Sequence, residues 1–233
     1  AGRKEAQDKK RAASFTKLVR LITVAARGGE NPEFNVALKH AIEKAKAINM
    51  PNDNINRAIK KGAGTDGSTA FETLNYEGYG PAGVAIIVEA LTDNKNRTAS
   101  SVKMAFDRNG GNLGVSGCVS YMFNKKGIII VAKYKIAEDD IIMYALDAGA
   151  EDVDTGSDDA YEIITAPSDL TTIAEKLVEN GVEVESSQID MIADNYVTLD
   201  KEQQEKILKM IDKMEEHDDV QNVYHNAIID IEE

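Results

Sequence analysis

The sequence predicts an α+β protein: an N-terminal three-helix bundle followed by two α/β domains of ferredoxin-like or split βαβ order, the middle one discontinuous. Three observations carry that reading. Up to residue 64 the apolar residues recur at helical spacing. Beyond a polar TDGST stretch at 65–69 the pattern changes to mixed strand and helix. The segment 128–189 then reads β-α-β-β-α-β, and one helix and one strand are left over behind it.

In the first helix Phe15, Leu18, Val19, Ile22, Ala25 and Ala26 fall on one apolar stripe, while Arg3, Lys10 and Lys17 recur every seven residues on another face. Gly28 and Gly29 stop it, and Asn31-Pro32 makes a turn. The second helix turns Ala37, Leu38, Ala41, Ile42, Ala45 and Ile48 inward and Lys39, Lys44 and Lys46 outward. Met50-Pro51 breaks it, and Asn52 is expected to cap a short third helix ending before Gly62 and Gly64. A linker is placed at 65–69.

Strands are expected at 73–78 and 84–91, a helix at 96–109, and strands at 119–123 and 128–132 around a turn Asn124-Lys125-Lys126-Gly127. A helix at 139–148, strands at 151–154 and 161–165, a helix at 170–180 and a strand at 183–189 complete the βαββαβ unit. The remaining helix (202–216) and strand (220–225) have no neighbour in a sheet that is already full. They are expected to return to the unit begun near Glu72. The predicted domains are therefore 1–69, 70–126 with 200–233, and an inserted 127–199.

The net charge of −13 argues at first against a polyanion ligand, but its distribution reverses the argument. Residues 1–65 hold 14 Lys/Arg and 6 Asp/Glu, a balance of +8; the other 168 hold 13 and 34, a balance of −21. Such asymmetry within one chain points to a nucleic-acid-binding segment. The expected phosphate contacts are Arg3, Lys4, Lys9, Lys10, Arg11, Lys17, Arg20 and Arg27 on the first helix, Lys39 and Lys46 on the second, and Arg57, Lys60 and Lys61 on the third. The bland alternative is a set of solvated helix faces. No apolar run approaches the roughly 20 residues that span a bilayer, no secretory signal is visible, and the single cysteine, Cys118, suits a reducing compartment. The expected location is the cytoplasm, with no membrane contact.

Chemistry-bearing motifs are few. His40, His217 and His225 are scattered, and no metal-ligand spacing occurs, so no metal, cofactor or small-molecule substrate is expected. The acidic run from Glu215 to Asp219 reads as a solvated turn. Cys118 reads as a small core thiol. The run Gly110-Gly111-Asn112-Leu113-Gly114 follows a helix rather than a strand, and reads as a flexible loop with helix-stop glycines. Asp93-Asn94-Lys95-Asn96-Arg97-Thr98 joins a strand to a helix N-terminus: Arg97 there could clasp a phosphate, or Asp93 and Asn94 could simply cap the helix. Tyr79 could stack on a base or pack a hairpin corner. With no catalytic constellation, the chain is not expected to be an enzyme.

Longer motifs give a resemblance. FTKLVRLITVAAR (15–27), NMPNDNINRAIKKGAG (49–64), YEGYGPAGVAIIVEALTDNKNRTAS (76–100), GGNLG (110–114), AGAEDV (148–153) and DDVQNVYHN (218–226) resemble the YebC/PmpR family over essentially the whole chain. The resemblance implies a helical bundle and two α/β domains, the middle one completed by the C-terminus. It also implies a bacterial cytoplasmic protein, usually described as a DNA-binding transcriptional regulator. Similar proteins act in translation: a mitochondrial relative is a translational activator of cytochrome oxidase, and bacterial relatives are linked to ribosomes stalled on proline-rich stretches. Family members usually carry a Gly-His-Ser-Lys-Trp segment ahead of the first helix, whereas this sequence starts at AGRKEAQDKKR, so no role of that segment is placed here. The expected function is that of a DNA-binding transcriptional regulator, with a ribosome-associated, rRNA-binding translation factor as the alternative.

Overall fold

The computed structural model describes residues 2–64 and 71–231, with side chains from Ser14 onward. The linker expected at 65–69 lies outside the described residues. The chain forms two compact units, one of residues 1–120 with 197–233 and one of residues 121–196.

The first unit opens with three helices, α1 (Gly2–Ala25), α2 (Val36–Ala47) and α3 (Asn52–Ala63). Their apolar stripes meet in a core of Ile22, Ala26, Leu38, Ala41, Ala45, Met50, Ile55 and Ala58. Asn35 starts α2: its Oδ1 accepts from Leu38 N, while its Nδ2 donates to the carbonyls of Ala25 and Gly29 and so ties the end of α1 to the start of α2. Two expectations change here. Asn52 is the first helical residue rather than a side-chain cap, because the Pro51 carbonyl already accepts from Asn54 and Ile55. Gly62 lies inside α3, not beyond it. It is buried at the crossing with α1, where a Cβ would collide with the Thr23 carbonyl oxygen and sit 2.9 Å from the Ala26 methyl.

The same unit contains an antiparallel sheet of β1 (Glu72–Tyr79), β2 (Ala85–Thr92), β3 (Asn112–Leu113) and β8 (Val220–His225), in the order β3-β1-β2-β8. Two helices pack on it, α4 (Lys95–Arg108) and α7 (Lys201–Glu215), around Val84, Ile86, Val88, Phe106, Ile207, Met210 and Met214. The returning strand β8 pairs with β2, from Ile86 opposite His225 to Ala90 opposite Val220. The glycine run expected to be a flexible loop contains β3. Gly78 and Gly111 let the strands approach, since a Cβ on Gly78 would lie 2.5 Å from the Asn112 oxygen.

The second unit is a βαββαβ fold of β4 (Phe123–Ala132), α5 (Glu138–Ala148), β5 (Asp152–Asp154), β6 (Ala160–Thr165), α6 (Leu170–Glu179) and β7 (Ser186–Ala193), with sheet order β5-β6-β4-β7, all antiparallel. This is the ferredoxin-like arrangement. The expected turn at 124–127 does not form. Lys125, Lys126 and Gly127 continue β4, opposite Met191, Asp190 and Ile189 of β7. Gly127 is there for close packing, because a Cβ would lie 2.9 Å from Leu170 Cδ1. β7 runs later than the expected 183–189, and the second compact unit spans residues 121–196.

Candidate nucleic-acid interface

Among the described residues, the outward faces of α2 and α3 carry most of the bundle's exposed cations, with Arg27 exposed beyond the end of α1. Lys39 and Lys46 are one heptad apart on α2, while Arg57, Lys60 and Lys61 share one side of α3. Lys60 and Lys61 stand in the last turn of α3, where the helix dipole favours positive charge. No salt bridge reaches Lys46, Lys60 or Lys61 among the described residues. Elsewhere several lysines are paired, Lys95 with Glu72 at 2.9 Å, Lys103 with Asp107 at 2.7 Å, Lys126 with Glu151 at 2.7 Å and Lys135 with Glu183 at 2.8 Å, while Lys125, Lys176, Lys209 and Lys213 also carry no salt bridge among the described residues. Arg57 is partly engaged by its own helix, donating to Asn54 Oδ1 at 2.6 Å.

Two expected phosphate contacts on α1 are instead turned toward the sheet of the same unit. Arg20 donates to Asp219 Oδ1 at 2.7 Å, to the Asp218 carbonyl at 3.2 Å and to the Leu91 carbonyl at 3.3 Å, and stacks over the Phe71 ring. Lys17 donates to the Glu215 carbonyl at the end of α7, and Gln221 donates back to the Lys17 carbonyl at 3.3 Å. Burial lowers the Lys17 ammonium pKa, with Glu215 and Asp218 pulling it back upward. Arg27 donates to the Phe71 carbonyl at 3.1 Å. The side chains of Arg3, Lys4, Lys9, Lys10 and Arg11 lie outside those described, although the α1 backbone runs through them.

The phosphate-clasp reading of Arg97 is corrected in the same place. Asn94, not a phosphate, caps α4 by accepting from Arg97 N at 3.1 Å. The Arg97 guanidinium donates to both oxygens of Asp219, at 2.7 and 3.0 Å, and to Asp93 at 2.9 Å. Those carboxylates hold Arg97 firmly protonated, raising it above its ordinary range.

Asp219, expected from its acidic neighbours to lie in a solvated turn, is 1% exposed. Arg20, Arg97 and the Thr98 hydroxyl, 2.8 Å from Oδ2, surround it. Burial alone would raise its pKa, but hydrogen bonds from Arg97, Arg20 and Thr98 win and hold it well below the usual carboxylate range. Its backbone N–H donates to His217 Nδ1 at 3.1 Å. Nothing in the local sequence marks this residue, because its partners are 199 and 122 positions away.

Glu77 is a second buried carboxylate with no sequence signal. It accepts from the backbone N–H groups of Gly117, Val119 and Ser120 at 2.6, 3.2 and 2.6 Å. Burial works against its ionisation, yet these bonds and the Ser120 hydroxyl keep it below its ordinary value. Cys118, half-buried in that loop, is shifted upward by burial and by the Glu77 charge, away from nucleophile behaviour. Tyr79 is 38% exposed at the end of β1. Among the described residues no group of three His, Cys, Asp or Glu side chains could hold a metal, and no helix is long and apolar enough to cross a membrane.

Comparison with known proteins agrees with this architecture. Residues 1–65 match the profile of the TACO1/YebC protein N-terminal domain, and residues 71–227 match that of the TACO1/YebC second and third domain. A "probable transcriptional regulatory protein" of Clostridioides difficile (strain 630) is 55% identical, over 96% of this chain and 95% of its own. One of the same description from Geobacillus sp. (strain WCH70) is 52% identical, over 96% and 92%. The crystal structure of a conserved hypothetical protein from Aquifex aeolicus superposes with a TM-score of 0.85 at 47% identity, covering 96% of this chain and 92% of that one. The chain therefore belongs to the TACO1/YebC family.

Proposed function

We propose that the protein is a non-enzymatic, cytoplasmic regulator of gene expression that binds duplex DNA through its N-terminal helical bundle and acts on transcription. The observation that carries this reading is the exposed set Lys46, Lys60 and Lys61, without a salt bridge among the described residues, in a chain where Asp and Glu outnumber Lys and Arg 40 to 27. In so acidic a protein, exposed cations grouped on two helix faces, with no salt bridge among the described residues, match a ligand that brings its own negative charge. The descriptions of the relatives as transcriptional regulators support the same reading. Affinity of this kind comes mainly from phosphate neutralisation, with sequence read elsewhere or weakly.

The test is the salt dependence of binding to duplex DNA. If about five bundle cations neutralise phosphates, the log–log slope is about −4.5, and a fourfold rise in salt weakens binding roughly 500-fold. Replacing Lys46, Lys60 and Lys61 together by Glu is expected to abolish measurable binding without changing the fold. Unaltered affinity of that variant would remove the bundle from the interface. Promoter fragments with a shared motif recovered with the protein support transcription; ribosomal subunits recovered in their place would move the same bundle onto rRNA.

A further inference from the structure

The turn between α7 and β8 gives the bundle a contact that its electrostatics do not require. The peptide from Glu215 to Asp219 carries four carboxylates, and its main chain and Asp219 take hold of Lys17 and Arg20 near the C-terminal end of α1. Asp219 itself sits where an external anion would be expected. It receives two arginines and a threonine hydroxyl beside the N-terminus of α4, a donor set equally suited to a phosphate group. Lys17 differs from Arg20. It is half-buried, and its ammonium donates to a neutral main-chain carbonyl, so that a charged oxygen would be a stronger partner.

We propose that the turn at Glu215–Asp219 is an autoinhibitory clasp: the Asp219 carboxylate occupies Arg20 as an internal phosphate mimic while the Glu215 carbonyl holds Lys17, and a polyanion gains these two cations only by displacing the turn. The clasp rests on the reading of the bundle as a nucleic-acid-binding surface. It makes the binding surface of the closed protein smaller than the charge of its first 65 residues implies. It also links occupancy of the bundle to release of the α7–β8 turn, because the Asp219 carbonyl accepts from Leu91 N at 2.7 Å and so anchors the turn to β2.

The experiment compares the full-length wild type with Asp219→Asn, using a duplex DNA and, separately, heparin as a polyanion that is not a nucleic acid. With Arg20 released from the Asp219 charge, the log–log salt slope of the variant is expected to steepen by about 0.9, with tighter binding at low salt. Replacing both Lys17 and Arg20 by Ala in the Asp219→Asn background is expected to cancel that gain, which a merely structural role for Asp219 would not do. An equal or shallower slope in a folded Asp219→Asn protein overturns the clasp while leaving the bundle as the binding surface. A steepened slope with heparin, but no binding of duplex by either protein, overturns the nucleic-acid reading and keeps the clasp. No binding of either polyanion removes both. Amide exchange in the wild type provides a measurement independent of the variant: heparin is expected to speed exchange at residues 217–221, and unchanged protection there at saturation counts against displacement.

Discussion

A carboxylate that is 1% exposed and touches two arginines is an electrostatic commitment. Asp219→Ala leaves Arg20 and Arg97 adjacent without their shared counter-charge. It is expected to cost about 3–5 kcal/mol, as removal of one member of a buried ion cluster does. The pH dependence has a definite sign. Asp219 is more acidic folded than unfolded, as is Glu77, so each stabilises the native state fully above its unfolded value, near pH 4. That contribution fades as pH falls toward the folded values. Urea denaturation at pH 7 and pH 3 is therefore expected to show wild type losing more stability on acidification than Asp219→Asn; equal losses would mean that Asp219 is not depressed. None of this was visible along the chain, where Asp219 closes the run Glu215-Glu216-His217-Asp218-Asp219 and looks solvated. An acidic residue is legible locally, but the arginines that bury it are placed by folding.

Among elements, α3 shows how far periodicity carries a reading. Ile55, Ala58 and Ile59 carry the apolar pattern of the helix, with Arg57, Lys60 and Lys61 toward its C-terminal end, and the structure leaves all three cations exposed. Gly62 was read as a stop signal, yet it is the point where α3 meets α1. Gly62→Ala gains helix propensity in isolation, but here it forces the two backbones apart. We expect destabilisation of about 1–3 kcal/mol by overpacking, read from the urea midpoint at constant m; a stabilised variant would show that the helices can shift freely. Strand β4 teaches the same lesson. Lys125-Lys126-Gly127 has turn composition, but its place opposite β7 and beneath Leu170 makes it extended. A glycine required for close approach and one required for a turn look alike until the neighbouring element is known.

At the level of the whole molecule, charge and cores are segregated. Residues 121–196 contain five lysines, no arginine and 17 Asp/Glu, so this unit holds most of the net negative charge. Its core, built on Ile129, Val131, Ile141, Tyr161, Ile163, Ile173 and Leu177, is composed only of its own residues. Scanning calorimetry is expected to resolve more than one cooperative step, with a calorimetric enthalpy above the van't Hoff value; a ratio of one would mean the units unfold together. Local pattern was enough for the α+β class, most of the order of helices and strands, the return of the last strand and the concentration of positive charge at the front. Those features depend on periodicity and composition, which are local properties of the chain. Folding alone set which cations are withdrawn by Asp219 and the end of α7, which glycines are crossings, and where β4 begins. Those outcomes depend on residues far apart in sequence being brought within about 3 Å, where hydrogen bonding and desolvation act.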